Sequence, residues 1–245
     1  MNLSLVAPLL ALLLSTQDKP VPRSVDLSRQ WIDTVLNSKN LDPTDLQKRL
    51  LKQNLSILWI SKFQEYTHGF IGNSFQRFDI HMTSVVKDRE NPSLYHVKGR
   101  TRVKLKVCDF TGSFKVIAAR KWKESEVDSV TQGIFALRYE LREIGTQDRA
   151  GILEGYAQTG WYIDSSGAIQ YDDLTASADG FSNNEFVGIW KSYDNASRVQ
   201  CHWGDFRIPL SGDLDNGTGD FHPADKYRSY GWENFSYDDL DVWWK

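Results

Sequence analysis

Apolar and polar residues alternate with a period of two from Ser56 to about Ile208. Segments 56–63, 69–86, 94–107, 110–122, 132–144, 152–163, 168–174, 185–193 and 197–208 each read as strands. Short turn signals separate them, such as KDRENPS, Cys108–Asp109, DSSG and DNAS. Short connections join antiparallel neighbours, and no helix-length pattern intervenes to build a parallel sheet. About nine strands in one meander curl until their edges meet. The expected fold is therefore all-β: an antiparallel meander barrel of about nine strands, with a two-sheet sandwich as the alternative. Glycines within FTGSF, LEGY and FVGIW mark places where such strands coil.

Before Ser56 the period changes. Leu27, Trp31 and Val35, with Ile32 and Leu36 beside them, share one helical face. A second helix is expected from Asp42, an N-cap followed by Pro43 at the first helical position, to about Asn54. The chain thus divides into a signal-like apolar segment (1–17), a helical lead-in (18–55) and a β domain (56–245) ending in a Trp-, Asp- and Gly-rich loop (209–245). The run from Leu3 to Leu14 is too short to span a bilayer but suits the apolar core of a secretory signal, so export is expected and no transmembrane segment. At the position where a lipoprotein signal carries its acylated cysteine the chain has Thr16, which cannot be lipidated in that way.

Composition adjusts this picture in three places. A net charge of -3 supplies no field for nucleic acid. Nine Trp against two Met favour half-buried sheet faces and stacking surfaces. Two cysteines, Cys108 and Cys201, are too few for a disulfide framework; one disulfide and two separate thiols both remain open. The polar face of segment 94–107 carries His96, Lys98, Arg100, Arg102, Lys104 and Lys106. It reads as a solvated outer face, with Asp79 and Glu140 placed to neutralise it. It lacks the interleaved aromatics of a single-stranded nucleic-acid platform.

Candidate chemistry concentrates near the C-terminus. Trp203, Tyr230 and Trp232 would offer flat faces, and Asp205, Arg207 and Asp213 directional hydrogen bonds, to a glycan. Asp213, Asp215 and Asp220, with Asn216, offer hard oxygen ligands for Ca²⁺, although Gly217 breaks the EF-hand spacing. Loop carboxylates would also suit a general acid–base pair acting on polysaccharide. Cys201 and His202, adjacent on one strand, point to opposite faces and cannot act together. A closed barrel would be filled or would carry an apolar small molecule.

Two resemblances accompany these readings. Gly188-Ile189-Trp190 resembles the G-x-W of lipocalin and avidin-type barrels, where it sits on the first strand rather than near the end. The motifs F-V-G-x-W, C-x-W-G-D-x-R-I-P and S-G-D-L-D resemble a C-terminal block of uncharacterised bacterial envelope proteins. The latter resemblance implies a compartment and no activity. Together these features suggest an exported binding or structural protein that contacts its partner through the C-terminal loop. A polysaccharide hydrolase and an apolar-molecule carrier are the alternatives.

Overall fold

Nine strands form: β1 (Thr67–Ile71), β2 (Gln76–Lys87), β3 (Leu94–Val103), β4 (Lys106–Lys121), β5 (Thr131–Ile144), β6 (Gly151–Ile163), β7 (Ile169–Tyr171), β8 (Asn183–Ser192) and β9 (Arg198–Asp205). The computed structural model describes residues 23–60, 62–145, 150–217, 219–236, 243 and 244. The signal-like segment 1–17 lies outside them. Every strand pairing is antiparallel, and the β1–β9 and β5–β6 pairings close eight strands into a barrel. Closure excludes the sandwich and removes the open edges of a flat sheet. β7 is the extra strand, paired only with the end of β6, at Trp161–Ile163.

The strand count survives while several boundaries move. Segment 69–86 folds back at Gly72, with φ +77°, to make β1 and β2. Segment 94–107 folds back at Lys104–Leu105, where Lys104 takes φ +56°, so β4 begins at Lys106 and runs straight through the Cys108–Asp109 turn signal. Lys106 therefore pairs with Val103 and leaves the basic stripe. Among the described residues of segment 56–63 there is no strand. Leu55, Leu58 and Trp59 are buried while Ile57 and Ile60 are exposed, a spacing of three and four that suits the 3-10 turns found at Ser56–Leu58 and Lys62–Tyr66.

The lead-in helices are α1 (Ser28–Leu36) and α2 (Gln47–Leu50). α2 is much shorter than expected because Asp42 caps a turn through the Thr44 amide and Asp45 takes the Gln47 amide. α1 lies outside the barrel, with Ile32 packed on Ala118 and Ala136. The stretch from α2 to Trp59 enters one end of the barrel. Leu50, Leu51, Leu55, Leu58 and Trp59 join the interior core there. Trp59 meets Tyr95 and Phe114 edge-on at 4.9 and 5.5 Å, and its Nε1 donates to Thr159 Oγ1 at 3.0 Å. The Leu55 amide donates to the Tyr95 hydroxyl.

Aromatic rings fill the middle of the barrel. Trp203 stacks on Phe186 at 4.7 Å, and Tyr139 packs edge-on against both. Gly155 and Gly188 face each other across β6 and β8. A Cβ on Gly188 would lie 2.2 Å from the Tyr139 hydroxyl, so the glycines of LEGY and FVGIW make room for that ring.

The segment after β9 wraps the outer wall. Ile208, Leu214, Phe221 and Trp232 close over Phe70 of β1, which explains a long loop rich in aromatics. At the C-terminus Trp244 stacks on His81 at 4.2 Å, Arg102 lies over the Trp243 ring at 4.9 Å, and Arg100 donates to the Trp244 carbonyl. The tail thus docks on the stripe of β3. Asp79 neutralises Arg102 as expected, whereas Glu140 pairs with Arg142 instead.

Candidate ligand site at the barrel mouth

The six residues singled out for a glycan fall in three environments. Trp203 and Asp205 point inward and are 1% exposed, so the Trp203 ring has no face for a ligand. Trp232 is buried in the outer cluster, its Nε1 donating to the Phe75 carbonyl. Arg207, Asp213 and Tyr230 lie outside the barrel. Arg207 pairs with Asp215 and donates to the Gly219 carbonyl; Asp213 accepts from Lys226 and the Tyr227 hydroxyl. Tyr230 alone of the aromatic three keeps substantial exposure.

The residues singled out for Ca²⁺ are also engaged separately. Asp215 accepts the Gly217 amide as well as Arg207, Asp213 holds Lys226, and Asp220 is exposed. Among the described residues no group of three or more His, Cys, Asp or Glu is arranged to hold a metal ion.

Asp205 closes the plugged end from within. Its carboxylate accepts hydrogen bonds from Thr67, from Tyr171 at 3.0 Å and from Asn184 at 2.8 Å. Burial pushes its pKa up to about 6 against the pull of these donors. Asn184 also donates to the Leu58 carbonyl, so this acid ties the plug to β1, β7 and β8. Beside it is a void of about 20 Å³, enough for one water.

His202, on the outer face of β9, approaches the Pro209 carbonyl, and burial lowers its pKa to about 4. Cys201 faces the core, and burial raises its thiol well above the ordinary value. As the two-residue period requires, this Cys and His are not partners. A buried neutral thiol is also a poor nucleophile. Cys108 and Cys201 are both free, which settles the disulfide question.

The other end of the barrel is open. The β1–β2, β3–β4 and β8–β9 hairpins surround a hollow of about 610 Å³, within the size range of small-molecule sites. Its walls are Ile71, Phe78, Val103, Leu105 and Trp190. Leu105, at the tip of the β3–β4 hairpin, is 100% exposed between Lys104 and Lys106. A leucine wholly in water is ordinary when single. Here it continues an apolar wall into a cavity.

Glu143 fixes the floor. It is the last inward residue of β5, after Phe135, Leu137, Tyr139 and Leu141. Thr101 of β3 donates to its Oε1, and the Gly151 amide and Trp190 Nε1 donate to its Oε2 at 2.9 Å each. Three walls are thereby held by one carboxylate, which pre-organises the hollow. The Cys108 thiol lies in the same lining, its pKa raised first by burial and then by Glu143.

Trp190, Cys108, Lys104 and Lys106 stood out in the sequence for other reasons, and none of the mouth residues, Glu143 included, was grouped there as a site. Two signals were nonetheless present: an acid at an inward position closing an apolar face, and a leucine between two lysines at a reversal. The chain matches no protein-family model, no curated protein and no solved structure.

Proposed function

We propose that this chain is an exported binding protein that takes a small amphipathic molecule into the open mouth of its barrel. The observation that carries the reading is the contrast along the barrel axis. The middle is filled by Trp203, Phe186 and Tyr139, yet an apolar hollow of about 610 Å³ stays open at the unplugged end. The occupant would place an apolar body against Val103, Leu105 and Trp190 and a polar or anionic head near Lys104 and Lys106 at the rim. This keeps the carrier reading but moves the ligand from the barrel's centre to its mouth. It also moves the contact surface away from the C-terminal loop, whose rings at Phe221 and Trp232 are spent on packing. Of the carboxylates suggested for polysaccharide hydrolysis, Asp205 lies inside the barrel and Asp213 outside it, so these two do not form an acid–base pair. Export rests on the apolar run Leu3–Leu14 and on the resemblance of the C-terminal block to envelope proteins.

Calorimetric titration with decanoate and with decanol tests the proposal. Wild type is expected to bind at least one of them, and Val103→Arg, which projects a long cation into the hollow, to weaken binding tenfold or more. Absence of binding by wild type to both, or equal binding by the variant, would overturn it.

A further inference from the structure

A second concavity lies on the outside of the barrel, independent of the mouth. It has a volume of about 520 Å³ and sits over the outward faces of β5, β6 and β8. The β4–β5 connection forms one wall, and the segment 172–182 between β7 and β8 forms the other. Gln132, 2% exposed, ties both walls together. Its Oε1 accepts the Glu126 and Val127 amides, and its Nε2 donates to Asp172 Oδ2 at 2.8 Å. Asn183 holds the second wall from below, donating to the Asp172 and Gly160 carbonyls and accepting the Gly160 amide. The cleft is thus built by buried side chains and needs no ligand to form it.

Its lining has a definite chemistry. Asp172 is paired with Gln132, and Glu185 with Gln158, so two acid–amide pairs face the cleft. Half-buried Trp122 and Phe181 border it. No Lys or Arg lines it among the described residues. That excludes an anionic occupant, since four carboxylates (Glu126, Asp172, Asp179 and Glu185) would face it unopposed. A carboxylate only accepts, whereas an amide also donates. Neighbouring hydroxyls, each able to donate and accept, match such pairs, and the flat rings match the apolar face of a pyranose. Burial raises the pKa of both Asp172 and Glu185. Surroundings that disfavour the charged form suit a neutral hydroxylated ligand better than a cation, which needs the carboxylates fully charged.

We propose that this outer cleft is a binding site for a neutral saccharide unit, held through the Asp172 carboxylate and the Glu185–Gln158 pair and stacked on Trp122. It differs in place and in residues from the C-terminal surface that composition suggested for glycans.

The test is an array of neutral, anionic and amine-bearing oligosaccharides probed with the whole chain, then calorimetry on the best-retained glycan. The expected result is retention of a neutral glycan, with affinity falling tenfold or more in Glu185→Gln and in Trp122→Ala. Glu185→Gln is nearly isosteric and keeps the test decisive should Trp122→Ala fold poorly. Val103→Arg at the mouth should leave saccharide affinity unchanged, and Glu185→Gln should leave decanoate binding unchanged, so the two sites stand or fall separately. Silence across all neutral glycans, undiminished binding by Glu185→Gln, or a preference for amine-bearing glycans would each overturn the proposal.

Discussion

The two ends of this barrel are built from opposite materials. At one end a segment of the chain enters the ring, and Leu55, Leu58 and Trp59 pack onto Tyr95 and Phe114. At the other, nothing from the described residues covers the apolar walls, and the hollow is floored by a carboxylate with three donors. A closed eight-stranded ring has an interior just wide enough for side chains to fill. Filling one end with aromatics and leaving the other open divides stability from binding along one axis. Substitutions at the plug should act on folding, and substitutions at the mouth chiefly on ligand affinity.

The largest expected effect is at the plug. Trp59→Ala removes two edge-on ring contacts and the bond to Thr159, and should cost about 4 kcal/mol in urea unfolding. A loss under about 1 kcal/mol would mean that the plug does not close the core.

Next comes pH. Asp205 has its folded pKa raised to about 6 from 3.8, so its favourable share is present below about pH 4 and lost as pH rises through 6. His68 of β1, buried against Phe221 and Phe235, and His202 are lowered by burial to about 3 and about 4 from 6.5, so their share is present above pH 6.5 and lost as pH falls. Between pH 6 and 4 the two histidines win and stability declines on acidification, with Asp205 opposing. Asp205→Asn should steepen that decline by about one proton, or about 1.4 kcal/mol per pH unit. Parallel stability–pH curves for the two proteins would remove Asp205 from the account.

At the mouth, Glu143→Gln keeps the shape but loses the charge and one acceptor, and should cost roughly 2 kcal/mol together with a weakening of decanoate binding. An unchanged affinity would show that the floor does not shape the hollow. The smallest effect belongs to the outer tail. Trp244→Ala loses stacking on His81 and should cost under about 1 kcal/mol by urea unfolding, with mouth binding unaltered.

How much of this was written in the residue pattern differs between the two ends. The alternation of segment 94–107 announced an antiparallel sheet most clearly, whereas ILEGYAQTG divided less cleanly in sequence although β6 buries every second residue. The strand reversals were harder to read. At Lys104–Leu105 the turn is made by residues with no turn preference, and the alternation runs through it without a break. The plug was misread because ILWI is apolar throughout; only burial distinguishes its three-and-four spacing from a period of two. The C-terminal block looked like a contact surface because it is dense in rings and acids. Composition cannot say whether a ring faces solvent, and here Trp203 faces the core while Trp232 faces the barrel's outer wall. Glu143 was legible in principle, since its parity places it inside. What its oxygens bind depends on strands far away in sequence.

The most direct test of the division between ends is a chemical-shift map of the isotope-labelled chain titrated with decanoate. Shifts confined to Val103, Leu105, Glu143 and Trp190, with Trp59 and Trp203 unmoved, are predicted. Shifts centred on Trp59 and Trp203, or none at the mouth at saturating decanoate, would contradict the account.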